Sequence, residues 1–216
     1  MKLCIYCAGG SGKLAFDLAQ RINKVDKVYD EIIFVDDVVQ TDYTYGAKVF
    51  SFDEIKKYFN KNELRFVITI GEPKNRKLLY ERVKSEGYKM GSIIDPEAKI
   101  SETAEIGEGA IIAGAFIGSD TSIGANAFIY ENAVIGHDIT IGDNCNIAVG
   151  SFIAGHCNIG NCVYIGPMSS VRDRIKIEDF AVVAMGAAVY NNITEHFTAI
   201  GNPARMLPGN KDSKLF

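Results

Sequence analysis

A histidine followed directly by an aspartate is the pair of side chains best suited to acid–base chemistry in this sequence. His137 and Asp138 occur in the segment Gly136-His137-Asp138, just after Ile135. Imidazole titrates near neutrality, so it can take a proton from a nucleophile as a bond forms. An adjacent carboxylate fixes the ring tautomer and stabilises the imidazolium. The pair predicts a general base, and the competing interpretation is a solvent-exposed turn residue.

Glycines near the start of the chain form a second candidate site. This loop follows an apolar run, precedes a helical stretch, and consists of Gly9, Gly10, Ser11 and Gly12. Backbone N–H groups of such a loop, together with the helix N-terminus, form an anion site suited to a diphosphate. The G-x-G-x-x-A pattern, with Asp36 further along the chain, is similar to the dinucleotide fingerprint.

The length of the N-terminal segment decides between two ligands for this loop. A complete dinucleotide fold needs two mononucleotide halves, and residues 1–93 supply only one. A nucleotide-sugar site is therefore the better prediction, with Asp36 or Asp37 contacting the base or the ribose. The competing interpretation is a tight turn that serves packing alone.

A six-residue beat runs through the second half of the chain and must position the histidine. Ile or Val occupies every sixth position from Ile117 to Val189. This period fits neither a helix nor an alternating strand, and it is the signature of a parallel β-helix. Three hexads make one coil, so His137 is expected at an exposed turn between two faces. Small or apolar residues predicted to face inward are Thr121, Ala127, Ala133, Cys145, Ser151, Cys157, Ala181 and Ala187.

The six-residue beat begins at Ile94 and is interrupted once by a shorter repeat. The step from Ile112 to Ile117 is five residues instead of six, which predicts a short corner in the coil. The exposed ends of such a coil need covers. We expect the N-terminal unit to cover one end and Phe197–Leu207 to cover the other.

Residues 1–93 predict a small α/β unit. Apolar runs that end at the glycine loop, at Asp36 and at Gly71 are typical of strands, and a capping box of Ser51 and Glu54 opens one of the helices between them. Strand–helix alternation with short links predicts a Rossmann-like parallel sheet. The predicted organisation is 1–93 for this unit, 94–195 for the β-helix and 196–216 for a C-terminal cap and tail.

The composition excludes several classes of function. The chain has 216 residues, 47% of them hydrophobic, and a net charge of −4, so it lacks the basic footprint of a nucleic-acid binder. No apolar run approaches the roughly 20 residues that span a bilayer, and the start is not typical of a signal peptide. The five cysteines are predicted to be buried, reduced thiols. We therefore expect a cytoplasmic protein with neither nucleic-acid nor membrane partners.

The beat and the C-terminal segment together resemble a known family. Imperfect hexads followed by Ala199-Ile-Gly-Asn-Pro-Ala-Arg205 are similar to the left-handed β-helix acyltransferases. The segments Cys7–Lys13 and Val35–Asp37 narrow the resemblance to the sugar acyltransferases that include the bacillosamine-pathway N-acetyltransferase and sialic-acid O-acetyltransferases. The resemblance covers nearly the whole chain. It implies a left-handed coil, a homotrimer with active sites between subunits, acetyl-CoA as donor and no metal requirement.

The resemblance also implies roles for single residues. His137 matches the general base of the family, Asp138 matches its acidic partner, and the Gly155 N–H matches the donor that polarises the thioester carbonyl. The implied acceptor is the amino group of a nucleotide-activated sugar, with UDP as the expected nucleotide. Substrate contacts are expected from Gly9, Gly10, Ser11, Gly12, Asp36, Asp37, Gly71 and Tyr130. Acetyl-CoA contacts are expected from Asn146, Gly155, Pro167, Gly186 and Pro203.

Two positions depart from the pattern of the enzymes nearest the bacillosamine acetyltransferase. Those enzymes carry a histidine nine residues after the base, where this chain has Asn146, and an asparagine seven residues before it, where this chain has Tyr130. Both positions lie beside the acceptor or the thioester in those enzymes, so these changes bear on the acceptor's identity. His156 lies outside the family's motif and is interpreted as a turn residue, and His196 as structural or exposed.

Three other functions fit parts of the pattern. A sugar O-acetyltransferase would use the same base, and a hydroxyl acceptor depends on that base more than a partly neutral amine does. A γ-type carbonic anhydrase uses a similar prism with zinc held by three histidines, but this chain has three in total and His196 lies outside the coil. A non-catalytic scaffold would release no thiol from acetyl-CoA with any sugar.

Overall fold

The N-terminal part of the chain folds as a parallel sheet flanked by helices. The structure is a computed structural model that describes residues 1–39 and 41–209. Apolar runs form the central strands, which are buried on both faces. In chain order the elements are β1 (Lys2–Tyr6), α1 (Gly10–Asp26), β2 (Glu31–Val35), β3 (Tyr43–Thr44), β4 (Ala47–Phe50), α2 (Phe52–Tyr58), a 3-10 helix (Lys61–Glu63), β5 (Leu64–Ile68), α3 (Pro73–Ser85) and β6 (Lys89–Met90).

Strand order brings three loops to one edge of this sheet. The order is β3-β4-β2-β1-β5-β6, with β1 between β2 and β5. Tyr6, the last residue of β1, is level with Val35 of β2 and Ile68 of β5. The glycine loop, Asp36 and Gly71 therefore follow the carboxyl ends of adjacent strands, where open α/β sheets bind their ligands. The predicted Rossmann-like sheet is confirmed.

The predicted capping box opens α2. The Glu54 N–H donates to Ser51 Oγ at 3.2 Å, and the Ser51 N–H donates to Glu54 Oε2 at 2.8 Å. These reciprocal bonds satisfy two N–H groups that the start of a helix leaves without partners. The helix therefore begins where the sequence predicted it.

From Ile93 onward the chain winds as stacked two-residue strands. They are β7 (Ile93–Ile94), β8 (Lys99–Ile100), β9 (Glu105–Ile106), β10 (Ile111–Ile112), β11 (Phe116–Ile117), β12 (Ser122–Ile123), β13 (Phe128–Ile129), β14 (Val134–Ile135), β15 (Thr140–Ile141), β16 (Asn146–Ile147), β17 (Phe152–Ile153), β18 (Asn158–Ile159), β19 (Tyr164–Ile165), β20 (Ser170–Val171), β21 (Lys176–Ile177), β22 (Val182–Val183) and β23 (Ala188–Val189). Every third strand pairs in parallel, which gives three sheets that start at β7, β8 and β9. The predicted parallel β-helix is confirmed.

The second residue of each short strand points into the coil and the first points out, as strand alternation requires. Ile129, Ile135 and Ile153 are fully buried inside, together with small residues such as Ala127 and Cys145. These side chains form one continuous core along the axis of the prism. The aliphatic beat is therefore the inner lining of the coil.

The slip in the beat is absorbed at one corner. Between β10 and β11 the chain turns at Gly114, whose φ is +50°. The flanking strands keep their register, because Ile112 pairs with Ile129 and Ile117 pairs with Ile135. The predicted short corner is confirmed.

One residue in most turns of the coil adopts a left-handed backbone, three positions after the inward aliphatic residue. Those with φ between +53° and +68° include Asp120, Asn126, Asn132, Asp138, Asn144, His156 and Gly186. Asn, Asp and Gly adopt this conformation more readily than other residues. Because the turns repeat with each coil, left-handed residues 18 positions apart, such as Asp138 and His156, are stacked neighbours.

One outer face of the prism lies under the N-terminal sheet. This covered face is formed by the sheet that starts at β7, and its outward residues Ile93, Ile111 and Phe128 are buried in a cluster with residues of β1 and α1. Ile94, which points inward at the start of the coil, is exposed. The N-terminal unit thus covers a side of the prism, so the expectation that it covers an end is wrong. The outward isoleucines and Phe128 provide the apolar area for this packing.

The two remaining outer faces differ in their exposed side chains. The apolar face is the sheet that starts at β8, where the stacked outward residues Phe116, Val134 and Phe152 are 46%, 36% and 46% exposed. The polar face is the sheet that starts at β9, with outward residues Glu105, Ser122, Thr140, Asn158 and Lys176. A stacked row of exposed aromatic and aliphatic side chains marks an interaction surface.

The C-terminal segment packs on the last coil. Strand β24 (Phe197–Ile200) pairs with β22, and β25 (Arg205–Pro208) pairs antiparallel with β24. Ala199 is buried, and Phe197 and Ala204 pack against the core of the prism. Residues 210–216 of the predicted tail lie outside the described residues. Within the described ranges, no helix is long and apolar enough to cross a membrane.

Candidate active site

His137 and Asp138 form a hydrogen-bonded pair at an exposed edge. They lie in the turn after β14, on the edge between the apolar and polar faces, and both side chains are about half exposed. His137 Nδ1 lies 2.7 Å from Asp138 Oδ2. The hydrogen bond from His137, with a smaller contribution from the nearby His156, holds the pKa of Asp138 below its usual value. An imidazole that donates from Nδ1 to an ionised carboxylate keeps its lone pair on Nε2, as a general base requires.

Gly155 lies directly above His137, one coil further along the chain. A Cβ atom on Gly155 would stand 2.8 Å from both Cε1 and Nε2 of His137, closer than real Cβ atoms approach. Only glycine therefore lets the imidazole pack in this position. Among the described residues the Gly155 N–H has no acceptor, whereas the His156 N–H donates to His137 O at 3.0 Å. A free N–H beside the imidazole can bind a carbonyl oxygen.

His156 stands above Asp138 in the same column of turns. Its Nδ1 is 3.8 Å from Asp138 Oδ2, and its ring is perpendicular to that of His137, with centroids 5.0 Å apart. The sequence interpretation treated His156 as an ordinary turn residue. Counting 18 residues from Asp138 instead of from His137 would have predicted this contact. The three side chains offer ligand atoms within 4.8 Å of one another, a spacing within reach of a metal ion.

A second cluster of predicted site residues lines a cavity where the covered face meets the N-terminal sheet. The cavity has a volume of about 290 Å³ and is lined by Ser11, Gly71, Tyr130, Asn146, Ala148, Val149, Tyr164 and Pro167. Five of these residues were predicted for substrate or acetyl-CoA binding. The structure therefore brings part of the glycine loop together with both positions that depart from the family's pattern.

Two hydrogen bonds join the halves of this cavity. Ser11 Oγ and Tyr130 OH lie 3.0 Å apart, and Asn146 Nδ2 donates to Gly71 O at 2.6 Å. Asn146 is only 2% exposed, and its Oδ1 has no hydrogen-bond partner among the described residues. A buried acceptor without a donor costs free energy unless a ligand or water satisfies it. Asn146 Oδ1 is therefore a buried acceptor whose hydrogen-bonding capacity is unused within the described residues of the unliganded chain.

Arg76 is a buried cation behind the same cavity that sequence reasoning missed. Its side chain is fully buried, Nη1 donates to Ile68 O at 2.6 Å, and the guanidinium lies 5.1 Å from the Phe128 ring. Burial lowers the pKa of Arg76 to about 10. Phe128 in turn stacks on Tyr130 with ring centroids 4.0 Å apart. The guanidinium thus packs against Phe128, which supports Tyr130 in the wall of the cavity. Nothing in the sequence context of Arg76 signals a buried position.

The glycine loop is open where a ligand would approach and closed where the helix meets the sheet. Gly9 is the N-cap of α1, and no side chain caps the helix. A Cβ on Gly9 or Gly10 would meet nothing within 4 Å, whereas a Cβ on Gly12 would stand 2.1 Å from Cys7 O. The third glycine therefore permits close helix–strand packing, and the first two leave the helix N-terminus accessible.

The two predicted aspartates are held by the protein itself. Asp36 accepts hydrogen bonds from the N–H groups of Ala8 and Val38, both at 2.9 Å. Asp37 accepts from Tyr6 OH and Arg82 Nη1, both at 2.6 Å. Burial raises the pKa of Asp37, but the hydrogen bonds from Tyr6, Arg82 and the Phe52 N–H outweigh it and hold the pKa below its usual value. Both aspartates border a cavity of about 290 Å³ beside Cys7 and Leu78, and their contact with a substrate stays a prediction.

The structure does not bring all predicted residues to one place. Tyr130 lies in the turn before β14 and His137 in the turn after it, so they occupy opposite edges of the apolar face. The two residues are seven positions apart, and since the turn residues between them add less than the roughly 3.3 Å per residue of a strand, the edges are separated by on the order of 15–20 Å. Gly186 lies on the cavity's side and donates its N–H to Pro167 O at 2.9 Å, and Pro203 lies between β24 and β25. One chain therefore holds two partial sites.

Two family models match the chain. The PglD N-terminal domain matches residues 2–83. Six repeats of the bacterial transferase hexapeptide match residues 120–155, a stretch that contains Tyr130, the His137–Asp138 pair and Gly155 and ends one residue before His156. The two matches cover the parallel sheet and the central coils. They confirm the fold class and the resemblance predicted from the beat and the glycine loop.

Similar proteins extend the match over nearly the whole chain. GDP-perosamine N-acetyltransferase of Escherichia coli O157:H7 is 28% identical over 91% of this chain and 81% of its own length. The acetyltransferase domain of PglB from Neisseria gonorrhoeae, in complex with acetyl coenzyme A, is 26% identical with a TM-score of 0.89 over 95% of this chain and 98% of that domain. PerB from Caulobacter crescentus, in complex with CoA and GDP-perosamine, is 25% identical with a TM-score of 0.87 over 96% and 97%. The chain thus joins a segment similar to the PglD N-terminal domain to a segment similar to bacterial transferase hexapeptide repeats.

Proposed function

We propose that this protein transfers an acetyl group from acetyl-CoA to the amino group of a nucleotide-activated amino sugar. His137 acts as the general base and Asp138 orients it. The observation that carries the proposal is the His137–Asp138 pair, packed under Gly155 in a chain whose relatives are solved with acetyl-CoA or with CoA and GDP-perosamine. These relatives match more than nine-tenths of the chain, so both the donor and the acceptor region have counterparts.

The chemistry follows from the atoms at the exposed edge. The sugar nitrogen attacks the thioester carbonyl carbon, and His137 Nε2 takes the proton that the nitrogen loses. The Gly155 N–H donates to the carbonyl oxygen as negative charge develops on it. When the C–S bond breaks, the imidazolium returns the proton to the sulfur of CoA. Asp138 stays ionised throughout and stabilises the imidazolium.

The glycine loop supplies the anion site for the sugar nucleotide. The N-terminus of α1 carries no acidic residue in its first turn and no side-chain cap, so its N–H groups are available to a diphosphate. Open space at Gly9 and Gly10 admits the phosphates to within hydrogen-bond distance. Ser11 joins this loop to Tyr130 and the cavity.

The relatives bear on which nucleotide the substrate carries. The resemblance implies UDP, whereas two of the similar proteins are named for GDP-perosamine. Asp36 and Asp37 border the cavity beside the strand ends, where the base or ribose would lie. UDP therefore stays a prediction, and the assay must include GDP-linked amino sugars.

The two partial sites are best completed by a second copy of the chain. His137 and the cavity at Tyr130 lie at opposite edges of the apolar face, and exposed Phe116, Val134 and Phe152 lie between them. Packing this face against another copy would bury the apolar row and bring the His137 edge of one chain to the cavity of its neighbour. We propose a cytoplasmic homotrimer with active sites between subunits.

The predicted acetyl-CoA contacts fit such an interface. Asn146 and Pro167 line the cavity, and Gly186 lies one coil above Met168 on the same side. Gly155 belongs to the opposite edge, beside His137. A donor lying along the groove between two prisms could touch both edges, with Pro203 near its far end.

A thiol-release assay tests the proposal. The protein is incubated with acetyl-CoA and, in parallel, with UDP-amino sugars, GDP-amino sugars and sialic acid. We expect amine-dependent thiol release with a nucleotide-linked amino sugar and a mass increase of one acetyl group. Release only with a hydroxyl acceptor would replace the N-acetyl assignment with O-acetylation. No release with any sugar would leave the scaffold interpretation.

A further inference from the structure

The exposed edge carries a cluster of side chains that the transfer reaction does not fully use. His137, Asp138 and His156 each offer one ligand atom, and these atoms lie within 4.8 Å of one another. We propose that the three side chains bind a divalent zinc-type cation and that the bound ion inhibits the enzyme. The binding stands without the proposed function, and the inhibition rests on it.

The geometry of the cluster is close to that of a tetrahedral ion. His137 Nδ1 and His156 Nδ1 lie 2.7 Å and 3.8 Å from the same oxygen, Asp138 Oδ2. Tetrahedral zinc with bonds of 2.0–2.2 Å separates its ligand atoms by roughly 3.4 Å. Each side chain is between two-fifths and three-fifths exposed, so rotations that move atoms by about 1 Å meet little resistance. The fourth position would face solvent and hold water.

The backbone already aligns these ligands. Asp138 and His156 occupy the left-handed position of two successive turns, with φ of +55° and +60°. The His156 N–H donates to His137 O at 3.0 Å, which fixes one turn on the other. Three side chains projecting from two stacked turns therefore converge without rearrangement of the coil. This convergence lowers the conformational entropy that binding an ion would otherwise cost.

The donor set selects the kind of cation. Two imidazole nitrogens and one carboxylate oxygen suit Zn²⁺ and its first-row neighbours, whereas Mg²⁺ and Ca²⁺ prefer oxygen ligands alone. The thiols of the chain do not compete. Cys4, Cys145, Cys157 and Cys162 are buried, as predicted, and burial raises the pKa of the half-buried Cys7 to about 12. We therefore expect this site to bind zinc in preference to magnesium or calcium.

An ion at this site would block the base. It would take a ring nitrogen of His137 and draw away the Asp138 carboxylate that orients the ring. An imidazole bound to a cation cannot accept the proton from the sugar amine. The expected result is inhibition that a chelator reverses.

The chain offers a matched control. His196 is also an exposed histidine beside a carboxylate, with Nε2 3.4 Å from Glu195 Oε1. Its ring stacks on Phe180, and among the described residues no third metal-ligating side chain joins the pair. Replacing His196 changes the number of histidines without touching the cluster.

Binding is measured by competition with a fluorescent zinc indicator, using metal-free full-length protein without a histidine tag. The proteins compared are the wild type and the variants His156→Ala, His156→Gln and His196→Ala, with thermal denaturation to establish that each is folded. We expect one zinc ion per chain in the wild type and in His196→Ala. Affinity should fall at least tenfold in both His156 variants, and Mg²⁺ should not compete.

Equal zinc affinity in the wild type and both His156 variants would overturn the proposal, as would a loss confined to His196→Ala. The activity arm measures thiol release with and without zinc, followed by EDTA. Inhibition should be reversible in the wild type and weaker in His156→Gln than in His196→Ala. If zinc binds through His156 but no sugar supports thiol release, the proposed function fails and the metal site stands.

Discussion

The two edges of the apolar face differ in almost every physical property. The His137 edge is exposed and carries ionisable side chains whose contacts are with one another. The Tyr130 edge is covered by the N-terminal sheet, and its polar side chains bond to residues more than 70 positions away in the sequence. In the proposed reaction, one edge supplies proton transfer, and the other supplies a shaped cavity beside the glycine loop.

In the proposed trimer, each chain carries half of an active site at each of the two edges and a whole active site at neither. A base that must take protons benefits from water access and a free Nε2, which burial would remove. A cavity that selects a sugar benefits from walls fixed by hydrogen bonds and stacked rings. The exposed Phe116, Val134 and Phe152 between them would join one kind of edge to the other kind on a second chain.

The largest effect is expected from removing the base. Replacing His137 with Ala should lower kcat by about 10²- to 10⁴-fold, because the variant lacks the imidazole that takes the proton from the attacking nitrogen in the proposed reaction. The measurement is steady-state thiol release. The His196→Ala variant, which removes a histidine outside this edge, should keep wild-type turnover. Near-normal turnover of His137→Ala would remove His137 from the mechanism.

Disrupting the face between the edges should affect assembly and activity together. Phe152→Glu places a charge in the exposed apolar row and should convert the proposed trimer to monomer, with at least a tenfold loss of activity. Asn158→Glu, the equivalent change on the polar face, should leave the trimer intact. Light scattering coupled to size-exclusion chromatography measures the oligomeric state of both variants. A Phe152→Glu trimer with full activity would contradict the assignment of this face.

A charge at the glycine loop should act on substrate affinity alone. Gly10→Asp places a carboxylate at the N-terminus of α1, where a Cβ meets no atom within 4 Å, so the chain should fold normally. Repulsion of a diphosphate should raise the KM for the sugar nucleotide at least tenfold and leave the KM for acetyl-CoA unchanged. Equal rises in both constants would argue against a phosphate site in this loop.

A smaller effect is expected where the cavity is joined to the N-terminal sheet. Asn146→Ala removes the donor to Gly71 O and should lower the free energy of unfolding by about 1–3 kcal/mol. Asn158→Ala, at the same hexad position on the polar face, should change it by less than about 0.5 kcal/mol. Denaturant titration compares the two variants. Equal stability of both would show that the Asn146 contact does not hold the halves together.

The hexad repeat predicted the local geometry of the coil but not the contacts between distant segments of the chain. The aliphatic beat predicted the inward residues and the short corner after Ile112, since each depends on local chain geometry. The bonds from Ser11 to Tyr130 and from Asn146 to Gly71 join distant segments, and no local pattern reports them. For the same reason the sequence placed the N-terminal unit at an end of the coil instead of on its side.

The site shows the same division between local and distant contacts. The His137–Asp138 bond was predicted because the two residues are neighbours in the chain. The bonds from Tyr6 and Arg82 that occupy Asp37 were not, because those residues come from other strands and helices. The position of His156 could have been predicted from the hexad repeat, because it lies 18 residues, or one full coil, after Asp138.

Mixing of two variant subunits shows whether the base of one chain serves the sugar site of another. Chains carrying His137→Ala and chains carrying Gly10→Asp, with different tags, are co-expressed and mixed trimers are purified. If sites lie between subunits, each mixed trimer holds one intact site in three, since an intact site needs the unaltered base of one chain and the unaltered loop of its neighbour. Activity of about one third of wild type, at sugar-nucleotide concentrations well below KM, is the predicted result. Activity no higher than the sum of the two parent variants would contradict the account.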